Sequence, residues 1–207
     1  MNLAGNQKTD IFNRLTRKKA LSGILRVLVP LYLTYLIFVS SVFFLFIPQQ
    51  EQTMMTQKKE GILQLTDSVI SLLSDYETRI RQGLLDPEEA RTKAIAQIRQ
   101  MRYGPEGKDY FWINDMHPFM VMHPYRPELD GTDLTQFKDP HGRYPFMAMV
   151  HTVMQNGGGY VNYYWQWNDE PDRVTPKISY VKGFKPWGWI VGTGIYQEDI
   201  HSQIVRI

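Results

Sequence analysis

The stretch "DYFWINDMHPFMVMHPYRPELDG", Asp109 to Gly131, decides how the chain folds. It sets aromatics, methionines and two His-Pro pairs side by side. It holds no nucleophile and base in a familiar spacing and no glycine-rich phosphate loop. Strand-forming residues on both sides of "DMHP" mark a hairpin. An even turn centred between Met116 and His117 pairs Asn114 with Phe119, Trp112 with Val121 and Tyr110 with His123. The alternate set pairs Ile113 with Met120 and Phe111 with Met122. Side chains alternate across a strand, so the two sets lie on opposite faces. Phe111, Ile113, Met120 and Met122 form a core face. Tyr110, Trp112, Asn114, Val121 and His123 form either a half-wet outer face or one wall of a small polar-aromatic pocket.

Outward from this hairpin the chain continues as strands. Asp109–Asn114, Phe119–His123, Tyr160–Trp167, Lys177–Phe184 and Gly188–Thr193 are short, aromatic or β-branched, and bounded by turn residues. A helix over Pro145–Asn156 interrupts them before Gly157-Gly158-Gly159. Upstream, the pattern from Glu51 to Gln82 is helical, with Ile62, Leu65, Val69, Leu72, Tyr76 and Ile80 at steps of three and four. That seam serves a helix lying on its own domain, or a helix that also pairs with a second copy. Asp86, Pro87 and Glu89 mark the start of a second helix, which Gly104-Pro105-Glu106-Gly107 ends. The fold class is α+β: an N-terminal transmembrane helix, a long amphipathic helix, then an antiparallel sheet of five to six strands.

The membrane segment is read from charge. Lys8, Arg14, Arg17, Lys18, Lys19 and Arg26 stand against Asp10 alone in residues 1–26, although the 207-residue chain carries only +2 overall. From Val27 to Ile47, "VLVPLYLTYLIFVSSVFFLFI" has no charged residue. As a helix it spans roughly 31 Å, about one hydrocarbon core. A secretory leader also has a basic start, but bulky Phe43, Phe44, Phe46 and Ile47 stand where a small-residue cleavage site belongs. An uncleaved anchor follows. The positive-inside rule keeps residues 1–26 cytoplasmic and sends the chain after Pro48 outside. The chain has no cysteine, which removes disulfides and cysteine metal sites, and its small net charge argues against a nucleic-acid partner.

The later strands bring Tyr163, Tyr164, Trp165, Lys177, Tyr180 and Lys182 toward one sheet, with Arg102 and Tyr103 just before it. Phenol hydroxyls, an indole or imidazole N–H and one or two cations describe a site for a small anion, above all a carboxylate. The expected ligand-binding residues are Arg102, Tyr103, Tyr110, Trp112, His123, Tyr163, Trp165, Lys177 and Tyr180. No catalytic residue, cofactor or metal ligand is expected.

Three blocks, "YFWINDMHPFMVMHPYRPELDGTDLTQFKDPHG", "GGGYVNYYWQW" and "KISYVKGFKPWGWIVGTGIYQEDI", resemble in this order the single Cache domain of bacterial membrane receptors. The resemblance covers Glu51 to Ile200. It implies a PAS-like antiparallel sheet behind a long N-terminal helix, a small-molecule ligand such as a short carboxylate, and a place before chemotaxis, kinase or cyclase output modules. The implied layout is 1–26 cytoplasmic, 27–47 in the bacterial inner membrane, 48–200 an extracytoplasmic sensor and 201–207 the start of an exit helix, with the sensor working as a homodimer. Such receptors continue into a second span and an output module, which this chain lacks. It is therefore expected to be a sensor fragment, or a truncated protein acting through a partner.

Three other readings compete with a sensor. Catalysis would use His123 or His151 with Asp109, Asp115, Asp130, Asp133 or Asp139, yet no catalytic motif is present. A metal at His117 and His123 lacks ligand spacing. A membrane-anchored docking protein needs no pocket, and differs from a sensor in gaining no stability from any small molecule.

Overall fold

The computed structural model describes Gly23, Arg26 and residues 28–197. The remainder of segment 1–26, Val27 and the expected exit helix over 201–207 lie outside the described residues. The chain divides into two units, Met1–Gln52 and Thr53–Ile207. In the first, residues 28–41 are helical and a π-turn spans Val42–Phe46. The helical stretch that begins at Leu28 is long and apolar enough to cross a membrane. Leu31, Tyr32, Ile37, Phe38 and Phe44 are exposed, as lipid-facing side chains are. The hydroxyls of Thr34 and Ser41 donate to the carbonyls of Pro30 and Phe38, so neither is left bare in an apolar surrounding.

The second unit is built on helix α1 (Ile47–Arg81), which begins in the first, followed by α2 (Pro87–Gln100). The Asp86 carboxylate caps α2 by accepting from the N–H groups of Glu88 and Glu89 at 2.9 and 3.3 Å, with Pro87 in the first turn. Strands β1 (Arg102–Tyr103), β2 (Asp109–Asp115) and β3 (Met120–Met122) precede helix α3 (Pro145–Asn156), and β4 (Gly158–Trp167), β5 (Glu170–Phe184) and β6 (Trp189–Tyr196) follow it. All pair antiparallel in the order β1-β2-β6-β5-β4, with β3 also against β2. The α+β architecture read from the sequence is therefore the one observed. The short β1 was not anticipated, because two residues carry no period.

The sheet has two covered faces. Helices α1 and α2 press Val69, Leu73, Ala94 and Ile98 onto Phe111, Ile113, Met122 and Val191. Helix α3 covers the other face, with Phe146, Met149 and Val153 over Tyr110, Trp112, Trp165 and Val181. The half-wet outer face is thus excluded: Tyr110, Trp112, Asn114 and His123 are all buried. Along α1 the fully buried line is Ile62, Thr66, Val69 and Leu73, with Leu65, Leu72 and Tyr76 beside it. Of the seam read from the sequence, Ile62 and Val69 are buried under the chain's own sheet, and Leu65, Leu72, Tyr76 and Ile80 are half-buried.

The hairpin register differs from the even turn. The Asp115 N–H donates to the Phe119 carbonyl at 2.9 Å, leaving three residues in the turn. The Asp115 carboxylate accepts from the N–H groups of His117 and Phe119, which stabilises that odd turn around Pro118. Asn114 pairs with Met120 and Ile113 with Met122, so Val121 is the extra residue of a bulge. Met120 consequently joins the face of Tyr110 and Trp112, while Met122 stays with Phe111 and Ile113.

Two glycines of β6 decide how deep the α3-side face can be. A Cβ on Gly192 would collide with the Trp112 ring, and one on Gly194 would sit 2.8 Å from Lys177 Cε. Gly192→Ala is expected to cost about 2 kcal/mol or more, because both the ring and the strand are fixed. Gly61→Ala, in α1 with open space around it, should instead add about 0.5–1 kcal/mol. Urea midpoints of the two variants check both signs.

Candidate functional site

The α3-side face carries a cluster of long polar side chains that meet above Gly192 and Gly194. Lys177 on β5 is 1% exposed. Its Nζ donates to Tyr110 Oη at 2.9 Å and Tyr196 Oη at 3.2 Å, and lies 4.2 Å from the Tyr110 ring centre and 4.6 Å from that of Tyr196. Tyr196 Oη in turn donates to the Gln166 carbonyl at 2.7 Å and accepts from the Asn168 N–H. Tyr163 shares a hydrogen bond with Ser179 at 3.0 Å, and Trp112 Nε1 donates to Asn114 Oδ1 at 3.2 Å. Burial pushes the Tyr110 hydroxyl's pKa well above its ordinary value, helped by the neighbouring Tyr196 and Tyr163, so it remains a neutral donor and acceptor.

His123 closes the cluster on the β3 side. Its ring stands 4.9 Å from Tyr110 and 5.6 Å from Trp165. Nδ1 accepts two backbone N–H groups, from Arg126 at 2.9 Å and Tyr125 at 3.2 Å. An imidazole that accepts at Nδ1 carries its proton on Nε2, and that N–H has no partner among the described residues. Burial, then the charges of Lys177, Arg126, Arg99 and Arg102, hold its pKa well below the usual value. The His123 backbone is pinned as well: its N–H donates to Asp130 Oδ1, and Arg99 bridges its carbonyl and Asp130 Oδ2.

Of the nine expected residues, the structure brings six together: Tyr110, Trp112, His123, Tyr163, Trp165 and Lys177. Three stand apart. Arg102 is exposed, and its guanidinium donates to the carbonyls of Arg99 and Met101 and lies over Tyr125. Tyr103 and Tyr180 fall on the opposite face, because strand alternation sends them there. Tyr103 bonds Thr193 Oγ1 and packs on Phe111, and Tyr180 packs among Ile62, Ile178 and Ile195. Sequence reading missed Tyr196 and Arg126. The alternation Gly192, Gly194, Tyr196 was the available signal, since two glycines on one face make room for neighbours. Of the five aspartates considered for acid–base work, Asp109 lies in β2 and the other four are turn staples. Asp115, Asp130, Asp133 and Asp139 all accept backbone N–H groups, Asp139 from His141, Arg143 and Tyr164 at once.

A helix laid along one face of an antiparallel sheet, and a buried nest of phenols, indoles, imidazole and ammonium under the other, define a PAS-like sensor domain. The chain belongs to the Single Cache domain 2 family, whose profile matches residues 54–207. It is 38% identical over 149 residues to the methyl-accepting chemotaxis protein McpP of Pseudomonas putida, covering 72% of this chain and 27% of that protein. It is 29% identical to the sensor histidine kinase MctS of Rhizobium johnstonii, covering 74% of this chain and 32% of the kinase. The chain thus spans about a third or less of the length of these relatives. Among solved structures, the periplasmic sensor domain of a chemotaxis protein superposes with a TM-score of 0.66 at 38% identity, over 69% of this chain and 97% of that one. A Cache chemosensory domain solved to explain carboxylic acid recognition gives 0.66 at 37% identity, over 70% and 97%.

The His123 geometry sets a pH dependence. A histidine whose folded pKa lies below its unfolded value near 6.5 contributes stability that is complete above about pH 6.5 and is lost as pH falls toward the folded value. Protonation would put a hydrogen on Nδ1 against two N–H donors. Denaturant titrations between pH 7.5 and 5 should show falling stability in the native chain. His123→Asn, whose amide oxygen can take over from Nδ1 without titrating, should flatten that slope.

Proposed function

We propose that residues 48–200 are the extracytoplasmic ligand-binding region of a bacterial transmembrane signalling receptor, anchored by residues 27–47 with residues 1–26 in the cytoplasm. The ligand is a short carboxylate held in the nest around Lys177. The observation that carries this reading is a buried ammonium that donates to two phenols, beside a histidine whose Nε2–H has no partner among the described residues. A carboxylate can accept from Lys177, Tyr110 and His123 together, and charge-assisted hydrogen bonds are the strong ones. Trp112 and Trp165 supply flat walls for a short carbon chain. The related Cache domain studied for carboxylic acid recognition supports the same chemistry.

The signal leaves through β5 and β6. Lys177 pairs with Tyr196 across these strands, and the next pair, Ile178 and Ile195, packs on Ile62 of α1. A ligand that binds one arrangement of this interface better than another shifts it against α1. Two copies then associate along α1, the helix whose seam residues Leu65, Leu72, Tyr76 and Ile80 remain half-exposed. The output is a chemotaxis or kinase module of a partner or of a longer chain.

Calorimetry of the full chain in detergent with a panel of short carboxylates tests the site. Lys177→Met is expected to lower the affinity of whichever acid binds by roughly ten- to a hundredfold, the scale of about 1.5–3 kcal/mol for a charged hydrogen bond. Arg102→Ala should leave it within about twofold, since Arg102 stands outside the nest. Equal binding by native chain and Lys177→Met would remove the anion from the nest. A panel in which nothing binds or stabilises the chain favours the docking reading.

A further inference from the structure

Helix α3 has three methionines, and only one of them serves the core. Met149 is fully buried against the sheet. Met147 is half-buried and Met154 is 68% exposed, and neither belongs to the apolar clusters that form the core. His151 stands between them, exposed and with no hydrogen-bond or ionic partner among the described residues. The spacing of Met147, His151 and Met154 is i, i+4, i+7. At 3.6 residues per turn these positions share an arc of about 60°, turned away from the face of Phe146, Met149 and Val153. Helix neighbours three and four apart have Cβ atoms about 5–6 Å from each other, close enough for both to ligate one ion.

A second observation comes from beside Met154. It lines a cavity of about 250 Å³ together with Met116, Phe184 and Trp189. Met116 lies in the turn between β2 and β3, where its N–H donates to the Gly188 carbonyl at 3.2 Å. A thioether from a distant part of the chain is thus brought to the same cavity as Met154. The donor types say which ion fits. Thioethers select Cu(I), imidazole suits copper too, and magnesium, calcium and manganese want oxygen donors that this set lacks. Structural zinc takes thiolates, imidazoles and carboxylates, of which His151 is the one supplied by the stripe. No three of His, Cys, Asp and Glu gather as metal ligands among the described residues. The fold itself asks for no sulfur at positions 147 and 154, where any good helix former would serve.

We propose that α3 carries a site for one monovalent copper ion. His151 holds the ion between the thioethers of Met147 and Met154, and Met116 completes the set from the cavity side. None of these four residues belongs to the nest around Lys177, so the site goes beyond the ligand proposed there and does not depend on it.

The probe is Cu(I), kept reduced by ascorbate and in solution by acetonitrile, titrated calorimetrically into the full chain in non-ionic detergent. The native chain should take up one equivalent. His151→Ala and Met154→Leu should each weaken that uptake by at least about tenfold, since even residues that only support a metal ligand act on that scale. Met154→Leu keeps the apolar volume and removes the sulfur, and both positions are exposed, so melting temperatures without metal should match the native chain. Zn(II) in excess should leave the Cu(I) step unchanged. A native chain that takes up no Cu(I) overturns the proposal. Equal uptake by the native chain and both variants does so too, and puts the ion on other methionines. Loss of the Cu(I) step to Zn(II) overturns it as well, because a thioether site does not yield to zinc.

Discussion

An ammonium group held inside a protein must be solvated by the protein, and the α3-side face of this sheet is arranged around that demand. Moving such an ion out of water costs several kcal/mol even after relaxation. Lys177 meets the demand with two phenol oxygens and the faces of Tyr110, Trp112 and Tyr196. For the lysine to cross β6 and reach Tyr110, the strand beneath must lack a side chain, hence Gly194. For Trp112 to lie flat beside it, the next position must lack one too, hence Gly192. Helix α3 then seals the cluster with Phe146 and Met149.

The same strands serve both faces, and in the proposed function they are what joins binding to transmission. Alternation puts Lys177 and Tyr196 on one side and their neighbours Ile178 and Ile195 on the other, against Ile62 of α1. No separate relay is needed between the nest and the N-terminal helix. Ile178 of β5 and Ile195 of β6 pack on Ile62 directly. His123 ties a third element into this unit, because its Nδ1 holds the turn that carries Tyr125 and Arg126.

Much of this was legible in the sequence, for identifiable reasons. Helix α3 had Pro145 at its start and Gly157 in a left-handed C-cap, and its bounds agree residue for residue with those read from the sequence. The five longer strands and the α+β class followed from aromatic and β-branched runs between turns. The hairpin register did not, because Asp115 closes an odd turn through side-chain bonds that no periodicity encodes. Arg102, Tyr103 and Tyr180 were grouped with the nest by nearness in sequence to it. Counting alternation from Lys177 would have sent Tyr180 to the other face. Tyr196 was passed over because the strand was ended at Thr193, three residues early.

The central claim is that Lys177 is the anchor for an anionic ligand. The direct measurement is a crystal structure of the chain with bromoacetate, whose bromine is located by anomalous scattering. The account predicts bromine density between Trp112 and Trp165, with the carboxylate about 2.8 Å from Lys177 Nζ and in reach of His123 Nε2. Bromine absent from the nest, with Lys177 still donating to Tyr110 and Tyr196 in crystals saturated with the acid, would contradict it.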